Sequence, residues 1–188
     1  RILDREGNLL YEILDPNAGR RTYVPLERVS PYMLAATISA EDKNFFSHGG
    51  IDYIGIVVAV FDNLTSSGRS RGASTITQQV AKNLLLTNEY SYTRKIKEAI
   101  LAYRIEGALN KQLIISLYMN EIALGRQAFG VEAAAQAYFG KSVDALELHE
   151  MAFLAALPKA PERYSRAEHA RAAIGRRPDV DTVAPDVR

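Results

Sequence analysis

Apolar residues recur at helical spacing over most of this chain, in segments closed off by capping and breaking residues, and that pattern points to a mainly α fold. Ser30-Pro31 supplies an N-cap and a first-turn proline, after which Met33, Leu34 and Ile38 carry a helix to Glu41. Asp52 can cap a second helix running through Phe61 to about Leu64, and the Ser-, Gly- and Arg-rich stretch 65–72 reads as loop. Helical spacing returns over Thr75 to Leu86 and over Thr93 to Asn110. In the second of these, Ile96, Ile100, Tyr103 and Leu109 are expected to face inward, with Arg94, Lys97 and Arg104 elsewhere. Shorter helices are predicted over Lys111 to Tyr118, Val131 to Tyr138 and Asp144 to Leu157, the last stopping before Pro158. The exception is the start, where Arg1 to Leu14 alternates as two strands about a Gly7-Asn8 turn, a small N-terminal β-hairpin with Tyr11 and Ile13 on one face.

A length of 188 residues, 47% of them apolar, suffices for one domain with its own core. The charges nearly cancel, 23 Lys and Arg against 22 Asp and Glu, so no global field for a polyanion exists and nucleic acid is not an expected partner. The absence of cysteine removes disulfides and thiolate metal sites. The longest apolar run, Ile54 to Phe61, is far short of the ~20 residues a membrane-crossing helix needs. The chain opens at Arg1 without a methionine and reads as a piece of something longer, with an anchor expected upstream. Beyond Tyr164 it turns polar, and 176–188 are expected to form a loosely held tail.

Chemistry-bearing residues fall in three ordered blocks. The first, Glu41-Asp42-Lys43-Asn44-Phe45-Phe46-Ser47-His48-Gly49-Gly50, sets adjacent carboxylates at a helix end beside aromatics and a histidine. Glu41 there can serve as a general base, or the two acids can be a solvated or capping pair. His48 has no second histidine at metal-ligand spacing, so no metal is assigned through it. The second block, Gly72-Ala73-Ser74-Thr75-Ile76-Thr77-Gln78-Gln79, leads into a helix on which Gln78 and Lys82 share a face with Gln79 beside them. Those side chains can grip a sugar or phosphate, or form an ordinary solvated face. The third, Arg94-Lys95-Ile96-Lys97-Glu98, offers an Arg94–Glu98 ion pair at i, i+4 with Lys95 and Lys97 pointing away from it. Cations in the first turn of a helix oppose its positive end, and an anionic ligand such as phosphate would compensate.

Taken together the blocks resemble the peptidoglycan glycosyltransferases, the polymerase domain of class A penicillin-binding proteins and of monofunctional transglycosylases. The likeness runs over Glu41 to Gly50, Gly72 to Gln79, Arg94 to Glu98, Leu117-Tyr118-Met119-Asn120-Glu121 before Gly125, and a closing segment from Glu150 to Tyr164. It departs from the family pattern at Tyr90, where many relatives have arginine, and at Ser116, where an acid is common.

The resemblance implies a lysozyme-like bilobal glycosyltransferase fold over 1–175, with a small membrane-proximal lobe at roughly 50–72. It also implies polymerisation of lipid II into β-1,4 glycan strands with loss of polyprenyl pyrophosphate. Glu41 and Glu98 would be catalytic, Glu41 as the base. Lys82, Arg94 and Lys95 would clamp the pyrophosphate, with Ser74, Thr75, Gln79 and Asn83 around it, while Asp42, Phe45, His48 and Tyr118 would shape the cleft. No obligatory cofactor is implied, a divalent cation such as Mg2+ at the pyrophosphate being the one candidate. Expected partners are lipid II, the growing glycan, other cell-wall synthesis proteins and a membrane surface met through Ile54 to Phe61, eight apolar residues that fit a buried core helix equally well. The place implied is the bacterial cell envelope, on the periplasmic face of the cytoplasmic membrane.

Overall fold

The computed structural model describes residues 2–3, 9–11, 19–65, 74–86 and 91–159. Two short strands, β1 (Ile2–Leu3) and β2 (Leu9–Tyr11), pair antiparallel with Ile2 opposite Tyr11, which is the expected N-terminal hairpin. The Gly7-Asn8 turn and Ile13 lie outside the described residues. A third strand, β3 (Arg20–Arg21), runs parallel to the later β4 (Ala128–Phe129), with Arg20 opposite Ala128. Nothing local announces that pairing, because its halves lie a hundred residues apart.

Helices make up the rest, as predicted. Helix α1 (Pro31–Glu41) starts at Ser30, whose hydroxyl accepts the Tyr32 N–H at 3.3 Å, with Pro31 in the first turn. Met33, Leu34, Ala36, Thr37, Ile38 and Ser39 are all buried, so α1 is wrapped on most sides, and its main neighbour is α7 (Leu148–Ala156). Helices α2 (Tyr53–Thr65), α3 (Ile76–Leu85), α4 (Tyr92–Ala108), α5 (Lys111–Glu121) and α6 (Val131–Phe139) complete the set, with α3 packed against both α4 and α5. Met33, Ile38, Phe45, Ile76, Tyr118 and Leu154 are among the fully buried side chains of the one core these helices enclose.

Two expectations need correction. Ile96, Ile100 and Tyr103 face solvent, at 61%, 50% and 72% exposure, and what α4 buries is Glu98 and Ala102. The reason is tertiary: the Gly50 backbone presses on α4 so closely that a Cβ there would sit 2.9 Å from the Ala102 carbonyl, and the side of α4 that meets it carries Ala102 with Glu98 and Glu106, each acid paired with a lysine. The last helix also begins later than Asp144. Residues Val143–Ala145 form a separate 3-10 turn, and α7 starts from a capping box in which Glu147 and Glu150 close on each other's backbone. It gives way at Leu157 to a final 3-10 turn containing Pro158.

The pin between the start of the fold and α5 is Asn120. Its Oδ1 accepts the Val24 N–H at 2.8 Å, while its Nδ2 donates to the Val24 carbonyl at 3.0 Å and to the Ser116 carbonyl at 2.8 Å. Every hydrogen is matched at a site 6% exposed. Asn120→Ala strips the partners from both Val24 groups and is expected to destabilise the chain by about 2 to 4 kcal/mol, read from urea unfolding.

Helix α2 is held at its start by Asp52, whose Oδ1 accepts the Gly55 N–H at 2.8 Å and whose Oδ2 accepts Asn44 Nδ2 at 3.0 Å. The Gly55 bond is the main cause of a lowered Asp52 pKa. A depressed folded-state pKa means this cap stabilises fully above the ordinary 3.8 and is lost as pH falls through the lower folded value. Amide protection at Gly55 and Ile56, measured against the intrinsic exchange rate at the same pH, is therefore expected to fall below pH 4 in the parent and to be low at every pH in Asp52→Ala.

Candidate active site

Two carboxylates at the C-terminal end of a helix are a poor choice for stability, since that end carries partial negative charge and α1 has no basic residue in its last turn. Each acid is instead engaged by the segment around the start of α3. Glu41 Oε2 accepts Gln79 Nε2 at 3.0 Å. Asp42, with a side chain 3% exposed, accepts the Ile76 N–H at 3.0 Å and receives His48 Nε2 on both oxygens, at 2.9 and 3.0 Å. The Gly50 N–H donates to His48 Nδ1 at 3.2 Å, so Nδ1 carries the lone pair and the ring proton that meets Asp42 sits on Nε2.

Helix α3 opens with a capping box: Thr75 Oγ1 accepts the Gln78 N–H at 3.1 Å and Gln78 Oε1 accepts the Thr75 N–H at 3.0 Å. Thr75 also donates to the Gly50 carbonyl at 2.6 Å. Gln78 is thus a buried cap rather than a ligand-facing side chain, which corrects its pairing with Lys82 on a binding face. That face belongs to Gln79, Lys82 and Asn83, which share one side of α3 at i, i+3 and i+4. Among the described residues Lys82 has no ion-pair partner, and Asn83 is exposed.

Helix α4 brings the third block to the other flank of α3. Ser91 caps it by accepting the Arg94 N–H at 3.0 Å, which puts Arg94 and Lys95 in and just after the first turn. Lys95, not Arg94, is the partner of Glu98: its Nζ donates to Glu98 Oε1 and, at 2.9 Å, to Ser74 Oγ. This corrects the expected Arg94–Glu98 pair. Three residues apart, Lys95 lies over the buried acid while half of its own side chain stays in water.

Tyr118 on α5 floors the site. Its hydroxyl has no hydrogen-bond partner among the described residues, and burial first, then the charges of Glu41 and Asp42, push the phenol well above its usual range, so it remains a neutral hydroxyl. Phe45 is fully buried and meets Phe46 edge to face at 5.1 Å. The geometry therefore divides the candidate residues. Glu41, Ser74 and Gln79 near the start of α3, Lys82 and Asn83 in its last turn, and Arg94 and Lys95 at the start of α4 all have solvent access. Asp42, Phe45, Thr75, Glu98 and Tyr118 are buried beneath them, and His48 is nearly so. Sequence reasoning passed over Thr77, Glu106 and Lys111. Thr77 Oγ1 donates to Glu106 Oε1 at 2.6 Å, and Lys111 Nζ donates to the same oxygen at 2.7 Å and to the His48 carbonyl at 2.7 Å. Tyr90 lies outside the described residues, and Ser116 is buried in α5.

Asp42→Ala removes the acceptor of two buried donors and is expected to cost about 2 to 4 kcal/mol in urea unfolding. Loss of the fixed His48 tautomer, visible in its imidazole 15N shifts, should accompany it.

A family model described as Transglycosylase matches residues 6–183. Penicillin-binding protein 1A of Rickettsia typhi is 48% identical over 180 residues, covering 91% of this chain and 22% of that protein. The protein of the same name from Aquifex aeolicus is 49% identical over 176 residues, covering 94% and 24%, and that from Haemophilus influenzae 48% over 161, covering 86% and 18%. The chain spans about a fifth to a quarter of the length of these relatives. With its blocks folded around the start of α3 and matched over nearly its whole length, the chain belongs to the transglycosylase family, the peptidoglycan glycosyltransferase domain of class A penicillin-binding proteins.

Proposed function

We propose that the chain polymerises lipid II into β-1,4 glycan strands by inverting displacement of polyprenyl pyrophosphate. The observation that carries this reading is a carboxylate held by Gln79 on the same face of α3 that presents Lys82 without an ion-pair partner among the described residues. Glu41 takes the proton of the acceptor's 4-hydroxyl as that oxygen bonds to the donor's anomeric carbon. The bond from that carbon to the pyrophosphate breaks on the opposite face, and the leaving group keeps the electron pair. It departs as an anion, so the reaction asks for one base and a cationic cradle rather than a proton donor at the leaving oxygen. Lys82, Arg94 and Lys95 supply the cradle, with Ser74, Gln79 and Asn83 as polar contacts. Glu98, tied to Lys95, holds that ammonium in place. Thr75, Asp42, His48, Phe45 and Tyr118 act as the frame of the cleft, and burial supports that role.

Among the described residues no three His, Asp or Glu side chains gather to hold a metal. A divalent cation such as Mg2+, which supplies charge neutralisation, would therefore be carried chiefly by the phosphates themselves. We further infer a lysozyme-like bilobal arrangement in which α2 belongs to a smaller lobe at the membrane. Tyr53, Ile54, Val57, Val58 and Phe61 are exposed at i, i+1, i+4, i+5 and i+8, one apolar stripe. Such a stripe suits the interface plane of a bilayer, and no helix among the described residues is long and apolar enough to cross one. The site of action is accordingly the periplasmic face of the cytoplasmic membrane in the bacterial cell envelope, with an anchor supplied upstream and other cell-wall synthesis proteins as neighbours.

Labelled lipid II in detergent tests the reading. Glu41→Gln is expected to slow strand formation by on the order of 10²- to 10⁴-fold. Lys82→Ala is expected to lose about 2 to 5 kcal/mol of transition-state stabilisation, read in kcat/KM. A Glu41→Gln chain as fast as the parent removes the base from the mechanism, and release of soluble fragments from purified sacculi in place of polymer would mark a hydrolase.

A further inference from the structure

Lys111 is the first residue of α5, where the positive end of the helix disfavours a cation. Its ammonium is nevertheless drawn inward, with only 21% of the side chain exposed. All of its bonding directions are occupied: the His48 carbonyl at 2.7 Å, Glu106 Oε1 at 2.7 Å, and the face of the Phe45 ring at 4.4 Å from the centroid. Glu106, with a side chain 10% exposed, accepts Thr77 Oγ1 on the same oxygen and so ties α4 to α3. The segment 48–50 is gripped from three sides at once. Lys111 takes its first carbonyl, Thr75 Oγ1 its last, and the Gly50 backbone, at φ +88°, lies against the Ala102 carbonyl of α4. What this segment carries is the His48 ring, which fixes Asp42, which in turn holds the Ile76 N–H at the start of the helix from which Gln79 reaches Glu41.

We propose that Lys111 is a positioning residue for the transfer reaction, clamping 48–50 between α3, α4 and α5 so that Glu41 and the polar face of α3 keep their mutual placement. The inference rests on the glycosyl-transfer reading given above, and it assigns Lys111 no contact with substrate. A clamp of this kind governs how well the bound groups are aligned more than whether they bind, so its loss falls on kcat.

Lys111→Met keeps the length of the side chain and removes its charge and donors. In the lipid II assay with the full chain, kcat is expected to drop by on the order of 10²-fold, as for a reacting group displaced by about an ångström, while KM stays within about threefold of the parent. Independently of activity, exchange of the Gly50 and Ile76 amides is expected to accelerate, with Ala134 and Met151 keeping their parent protection. Unchanged kcat, or a kcat loss with Gly50 and Ile76 as protected as before, overturns the proposal, as does a loss that only tracks the unfolded fraction. A parent chain that forms no strand sinks the transfer reading instead, and the exchange measurement still decides the clamp. If Lys111→Met cannot be purified, Lys111→Gln, which retains a donor for one partner, is read the same way with a smaller kcat loss.

Discussion

The Asp42 carboxylate is the joint on which the site depends. It stands at the C-terminal end of α1, where the helix's own field opposes it, and at the N-terminal end of α3, where the field of that helix favours it. The Ile76 N–H and the His48 Nε2–H complete the compensation. A charge that would weaken one helix alone becomes the contact that orients two helices against each other. Because Glu41 is its immediate neighbour and Gln79 lies one turn into α3, the same joint determines where the candidate base points.

Charge is apportioned around this joint in a way that suits displacement of an anion. The two inward-facing acids of α4, Glu98 buried and Glu106 mostly so, each have a resident cation, Lys95 and Lys111 respectively. Such pairs contribute little net stability, because desolvation offsets most of the attraction, yet removing one member leaves an uncompensated charge inside the protein. They hold geometry at little net gain or cost. Lys82 is different, since no acid among the described residues neutralises it and its place in the last turn of α3 contributes only a helix-end interaction. A half-buried cation with no carboxylate partner among the described residues, next to Gln79 and Asn83, suits the anionic leaving group of the proposed reaction.

The parts of the fold legible in the sequence are those whose causes are local. Ser30-Pro31 fixes the start of α1, and Thr75 opens α3 through a bond to the Gln78 N–H; Ser91 and Asn110 cap α4 and α5 by the same local rule, though helical spacing in the sequence begins α4 at Thr93 and ends it at Asn110. The blocks that suggested transferase chemistry do converge on the start of α3. What the sequence hid was the choice between faces. On α4 the periodic apolar stripe Ile96, Ile100, Tyr103 is the outer one, because Gly50 and the Lys95–Glu98 and Lys111–Glu106 pairs claim the inner side. Periodicity says that a helix has two unlike faces; it does not say which faces the core. Gln78 misled in the converse way, as a polar residue on a polar-looking helix that turned out to be its own cap. Asn120 with Val24, β3 with β4, and Lys111 with His48 join segments far apart in the chain, and no local signal marks such pairs.

The division between buried and accessible residues within each block follows from what catalysis by alignment demands. Groups that meet a substrate need solvent access and are free to be long and polar, and Gln79, Lys82 and Lys95, to which the proposed reaction gives that role, satisfy both. Groups that hold them must be buried and saturated with partners, because a side chain held to within a fraction of an ångström cannot rely on water for its hydrogen bonds. Asp42, His48 and Thr75 meet that condition through contacts to one another's segments, and Gly50 links His48 and Thr75 through its own N–H and carbonyl. Within the block from Glu41 to Gly50, Asp42, Phe45, His48 and Gly50 are therefore better understood as the buried setting of one accessible acid.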